Sequence, residues 1–159
     1  MSRYQGGKSR NGKQIAYMMK SIVTKLQSKD HLSKDFHYIE PFIGMAGVLR
    51  HVIVLWPSGH FQVPDRNVAV VRMWQRLLKD NNTDFIPNKV TEVIFNKLKK
   101  NAFKDDSKAS IRGAVGSAMS FGGAYFSGFV GKYEINGKRN YMRAAKKNLA
   151  RVLINLKSA

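Results

Sequence analysis

Apolar residues recur every three or four positions through Ile15, Met18, Met19, Ile22, Val23 and Leu26. That is the stripe of an amphipathic helix, and the spacing predicts one over 12–27. The period then shortens. FHYIE at 36–40 is an aromatic and β-branched run that stops at Pro41, so it predicts a strand ending at Glu40. From Gly47 the segment GVLRHVIVLW begins as a helix, and FQVPD at 61–65 predicts a second short strand ending in an acid. Strand, glycine turn, helix, strand is a βαβ order. Helical spacing returns at Val70, Val71, Trp74, Leu77 and Leu78 and stops at the turn residues NNTD, 81–84.

The second half has a different character. Val90, Val93, Ile94 and Leu98 mark a helix, residues 107–120 are rich in small side chains, and FGGAYFSGFVG mixes glycine with aromatics. No strand pair stands out there. A last helix over about 140–157 buries Met142, Ala145, Leu149, Val152, Leu153 and Leu156 and turns Arg143, Lys146, Lys147 and Arg151 outward. The expected fold class is α/β: a partial Rossmann-like unit of parallel strands and helices, followed by a mostly helical second half. One domain is expected over 1–159, with an α/β part at 1–84 and a helical part at 85–159.

Charge narrows the partners. Lysine and arginine number 28 against 10 acids, a formal charge of +18, and a field of that size favours polyanions. Arg112, Lys132, Lys138, Arg139, Arg143, Lys146 and Lys147 are the candidate phosphate contacts, although a solvated cationic face is the commoner use of such residues. They would not distinguish DNA from RNA. Phe121, Tyr125, Phe126 and Phe129 could stack on bases or could pack in a core. No lysine cluster flanks an apolar anchor, no stretch approaches membrane-spanning length, and there is no cysteine, so an intracellular, nucleic-acid-associated protein without a membrane partner is expected. The four histidines show no metal-site spacing, and no metal is assigned.

With acids so scarce, the two that end the predicted strands stand out. Glu40 and Asp65 would lie side by side at the carboxyl edge of adjacent parallel strands, where a carboxylate can accept from vicinal hydroxyls while a glycine turn lets a ligand approach the backbone. Gly44 and Gly47 would supply that turn. Spacing alone leaves a second reading open, in which each acid caps a helix and each glycine merely turns the chain.

Four blocks in order, YQGGK at 4–8, YIEPFIGMAGVL at 38–49, PDRN at 64–67 and SFGGAYFSGF at 120–129, resemble blocks of the Dam-like DNA adenine methyltransferases, especially phage-type members. The resemblance runs from residue 4 to about 150 and implies an S-adenosylmethionine pocket. Tyr4, Gly7 and Lys8 fall on the family's aromatic-GGK block, and Glu40, Pro41, Phe42 and Gly44 fall on its EPF-glycine loop. Asp65 falls on the acid turned toward the ribose. Ala46 stands where the family's second loop glycine is common, and Ala124 where many relatives have lysine.

The family's DPPY tetrapeptide, which holds the flipped adenine, is absent from these 159 residues. The resemblance therefore implies a cofactor-binding portion of an adenine-specific DNA methyltransferase without its catalytic strand, expected to bind but not to turn over alone. No catalytic residue is assigned. The neighbouring central strand would be missing too, so a partner chain, self-association or a rearranged second half is expected to cover the open sheet edge. A second expectation, from another class, is a catalytically dead relative serving as a basic nucleic-acid-binding or structural component of a larger assembly such as a virion or ribonucleoprotein.

Overall fold

In the computed structural model, residues 7–8, 10–29, 35–100, 105–131 and 140–157 are described. Tyr4, Lys132, Lys138 and Arg139 lie outside them. The described chain is mixed α/β and mostly helical: α1 Gly12–Gln27, β1 His37–Ile39, α2 Leu49–Leu55, β2 His60–Gln62, α3 Val68–Asp80, α4 Glu92–Lys100, α5 Asp106–Ala118, a 3-10 turn Phe121–Gly123, and α6 Tyr141–Lys157.

The front of the molecule follows the expected order. β1 and β2 pair in parallel, with His37 opposite His60, Tyr38 opposite Phe61 and Ile39 opposite Gln62, and α2 is the crossover between them. Phe36 stacks on Trp56 with ring centroids 4.0 Å apart, joining the entry to β1 to the end of α2. Both strands are shorter than their apolar runs. Glu40 sits one residue beyond β1, and Pro64 keeps Asp65 outside β2. Each strand has one strand neighbour among the described residues, so each also has an edge without one.

α3 begins and ends on side-chain chemistry. The Asn67 side chain accepts from the Ala69 amide at 3.1 Å, and Asn81 closes the helix in the left-handed region at φ 58°. α3 packs on α5, the helix that the small-residue stretch forms. Gly113 explains how: a Cβ there would run into the Ala69 carbonyl, so the two backbones approach closely, and Ser110 Oγ donates to the Arg72 carbonyl at 3.1 Å. Periodicity of large apolar residues is blind to such a contact.

Two predicted stripes turn out differently. In α1 the buried line is Gly12 and Ala16, against α2, while Met18 and Ile22 face outward. In α4 the buried residues are Phe95 and Leu98, whereas Val93 is 77% exposed. Val90 is buried but lies ahead of the helix. The aromatic ring takes the inward position because it buries more area than a valine. In α6 the expected pattern appears: Met142, Ala145, Leu149, Val152 and Leu153 are buried, Leu156 is half-buried, and Arg143, Lys147 and Arg151 are exposed. One core runs through both halves, from Val52, Met73 and Leu77 to Phe95, Met119 and Leu149.

Candidate functional site

The chain leaves β1 at Ile39 and bends. The Glu40 amide donates to the Gln62 carbonyl at 3.0 Å and the Ile43 amide to the Pro64 carbonyl at 3.3 Å, so the path after β1 stays tied to the path after β2. Gly44 then takes φ 47° and Ala46 φ 52°, both in the left-handed region. Ala46 is fully buried and holds the conformation that a glycine would adopt freely. Residues 41–48 form a turn and not a helix.

Asp65 fastens this bend. One carboxylate oxygen accepts from the Gly44 amide at 2.9 Å and the other from the Asn67 amide at 2.8 Å. Trp74, on α3, donates its Nε1–H to the Gly44 carbonyl at 2.7 Å. The backbone N–H and C=O of Gly44 are thus both fixed by side chains from later in the chain. Trp74 was visible in the sequence only as part of a helical stripe; nothing local marks the carbonyl it reaches.

Glu40 is equally committed. Its carboxylate accepts from the Tyr38 hydroxyl at 2.9 Å and from the Leu49 amide in the first turn of α2. Burial pushes the Glu40 carboxyl above its ordinary range, against the two hydrogen bonds that favour its charged form. Burial likewise pushes the Tyr38 phenol up, and the neighbouring Glu40 adds to the shift. Asp65 and Glu40 each use two acceptor positions on the protein itself, and a carboxylate offers about four.

The other residues proposed for a cofactor lie around this bend. Pro41 and Phe42 are exposed, Phe42 at 74%. Gly7 and Lys8 are exposed and lead into α1, with the Lys8 carbonyl accepting from the Asn11 amide at 3.1 Å. At Gly12 a Cβ would collide with the Gly47 carbonyl, so the start of α1 sits directly on the glycine bend. The structure therefore brings Gly44 and Asp65 into contact and the α1 entry beside Gly47.

Of the cationic set, the described members are Arg112 on α5 and Arg143, Lys146 and Lys147 on α6. Arg112 is half-buried: its Nε donates to the Leu98 carbonyl at 2.9 Å and its guanidinium lies over Tyr125 and Phe126, 5.6 and 5.1 Å from the ring centroids. Lys146 donates to Asn88 Oδ1 at 3.0 Å, and Arg143 and Lys147 are exposed on α6. The glycine-aromatic segment mostly packs inward. Phe126 is buried at φ 51°, and Phe126 and Phe129 lie 5.1 and 5.3 Å from Phe95. An antiparallel bridge, Ser120 to Phe129, closes it, a pairing not expected from the sequence. Phe121 alone of its four aromatics is exposed.

Comparison with protein-family models, curated proteins and solved structures finds no match for this chain. Among the described residues, no helix is long and apolar enough to cross a membrane.

Proposed function

We propose that this chain is the cofactor-binding portion of an S-adenosylmethionine-dependent DNA adenine methyltransferase, with a partial Rossmann-like fold, that requires its catalytic strand from elsewhere. The observation that carries this reading is the junction of Asp65 with Gly44: a carboxylate after one parallel strand holds the amide of a positive-φ bend after its neighbour. Ligands of open α/β sheets collect at that carboxyl edge. The exposed ring of Phe42 is available to cover an adenine face, and the remaining acceptor positions of Asp65 suit ribose hydroxyls.

Calorimetry with S-adenosylmethionine tests it. Wild type is expected to give a binding heat that Phe42→Ala loses without a change in thermal midpoint, since the ring is exposed. Asp65→Ala should lose it together with stability. Absence of heat from the wild-type chain overturns the reading.

One observation favours the second reading, a basic nucleic-acid-binding component that has lost catalysis. Both strand-end acids are occupied by the protein's own donors. With a charge of +18, such a component would bind nucleic acid with a steep salt dependence and without methyl donor. Fluorescence anisotropy of a labelled duplex across a salt series, with and without S-adenosylmethionine, separates the two: the first reading requires an effect of cofactor and the second none.

A further inference from the structure

One face of the two-stranded sheet turns its side chains outward. Along β1, His37 and Ile39 are exposed and Tyr38 is buried; along β2, His60 and Gln62 are exposed and Phe61 is half-buried. Parallel sheets ordinarily bury both faces, so an exposed one calls for a reason. Two of its four residues are histidines. They are far apart in sequence, and the parallel register sets His37 directly opposite His60.

The two rings stack, with centroids 4.8 Å apart and planes 29° from parallel. The backbone beneath them is held in place: the His60 amide donates to the Phe36 carbonyl at 2.8 Å, and the Phe36 ring stacks on Trp56 at 4.0 Å. Bonds from a metal ion to imidazole nitrogen are about 2.0–2.1 Å long, so two nitrogens that share one ion stand about 3 Å apart. Facing residues of neighbouring strands start from backbones about 4.8 Å apart. Turning the exposed rings from face to edge therefore brings both nitrogens onto one ion without moving either strand.

The charge of +18 opposes any cation, so an ion must be held here by bonding to nitrogen and not by the field. That selects late first-row divalent ions, Cu²⁺ and Zn²⁺, over Mg²⁺ and Ca²⁺, which need oxygen donors. Among the described residues no group of three or more His, Cys, Asp or Glu is placed to hold a metal. The remaining coordination positions would be filled by water or an incoming donor.

We propose that His37 and His60 form a two-imidazole chelate for a late first-row divalent cation on the outward face of the sheet. The site stands at the amino ends of both strands, whereas Glu40 and Asp65 follow their carboxyl ends, and it does not rest on the methyltransferase reading.

The test uses Zn²⁺ as the probe and follows the imidazole nitrogens of the full chain by NMR. Zn²⁺ should shift the ring nitrogens of His37 and His60 together and leave those of His51 in place, and Mg²⁺ should shift none. In calorimetric titrations His37→Ala and His60→Ala should each weaken Zn²⁺ roughly a hundredfold, because the second ring binds an ion already held by the first. The double variant should lose little more than either single one, since one ring alone is a monodentate ligand. Both side chains are exposed, so the metal-free variants should keep the thermal midpoint of wild type, while Zn²⁺ should raise that midpoint in wild type alone. The proposal is overturned by unshifted His37 and His60 nitrogens, by an equal shift at His51, by unchanged affinity in either single variant, or by a double variant that loses as much again as each single one.

Discussion

Two glycine-containing bends, one after β1 and one after α5, use the same backbone conformation for different ends. The front bend has Gly44 and Ala46 at positive φ and is braced by polar side chains, Asp65 and Trp74. The rear bend has Gly122, Gly123 and Phe126 at positive φ and is held by rings packed on Phe95. The front leaves Phe42 and partly used carboxylates beside a backbone surface; the rear fills its own interior. Glycine content therefore does not by itself mark a ligand site, whereas a carboxylate spent on a bend does separate the two.

The largest expected effect lies at the rear. Phe95 is almost fully buried and touches both Phe126 and Phe129, so Phe95→Ala should cost about 3–5 kcal/mol in urea unfolding. The front brace should cost less. Asp65→Ala leaves the Gly44 and Asn67 amides without their acceptor, an expected loss of about 2–3 kcal/mol, with faster hydrogen exchange confined to those amides. Asp65→Asn keeps one acceptor oxygen and should recover roughly half. If Asp65→Ala destabilises as much as Phe95→Ala, the front is core in the same sense as the rear, and the contrast fails.

A smaller effect isolates backbone conformation from packing. Gly122 has φ 64° and open space where a Cβ would stand, so Gly122→Ala should cost about 1 kcal/mol through conformation alone. Gly116, in contrast, faces the rings of Tyr125 and Phe126, where an added methyl must displace an aromatic. Gly116→Ala should therefore cost more than Gly122→Ala in the same assay. The reverse order would mean that the rear segment is held by its turn and not by its rings.

Much of the front could be read from the sequence because its signals are local. The α1 and α3 spacings, the Pro41 stop and the NNTD turn each act within a few residues; α1 and α3 lie where those signals put them, β1 stops one residue short of Glu40, and β2 runs over 60–62 and stops short of the expected end at Asp65. The rest depends on contacts that sequence spacing does not carry. α5 has few large apolar residues and packs through Gly113 and Ser110, which no hydrophobic period reveals. The roles of Trp74 at Gly44 and Arg112 at Leu98 are set by pairs far apart in the chain. At the candidate site, the residue types around the bend were readable, but the use of both acids by the protein's own amides was not. That use comes from the turn bringing the Gly44 and Leu49 amides within reach, a property of three-dimensional path.

The finest expected effect concerns proton uptake at the front. Burial raises the Glu40 carboxyl above its unfolded value, so between those two values the folded state holds more protons than the unfolded state. Stability contributed by this group is fully present below the unfolded value and is lost as pH rises through the raised one. Wild type should accordingly lose stability relative to Glu40→Gln as pH rises above the ordinary carboxylate value, and the difference should be flat below it. Urea midpoints of the two proteins across that range measure it. A difference that grows in favour of wild type with rising pH would show that the Tyr38 and Leu49 donors outweigh burial at Glu40.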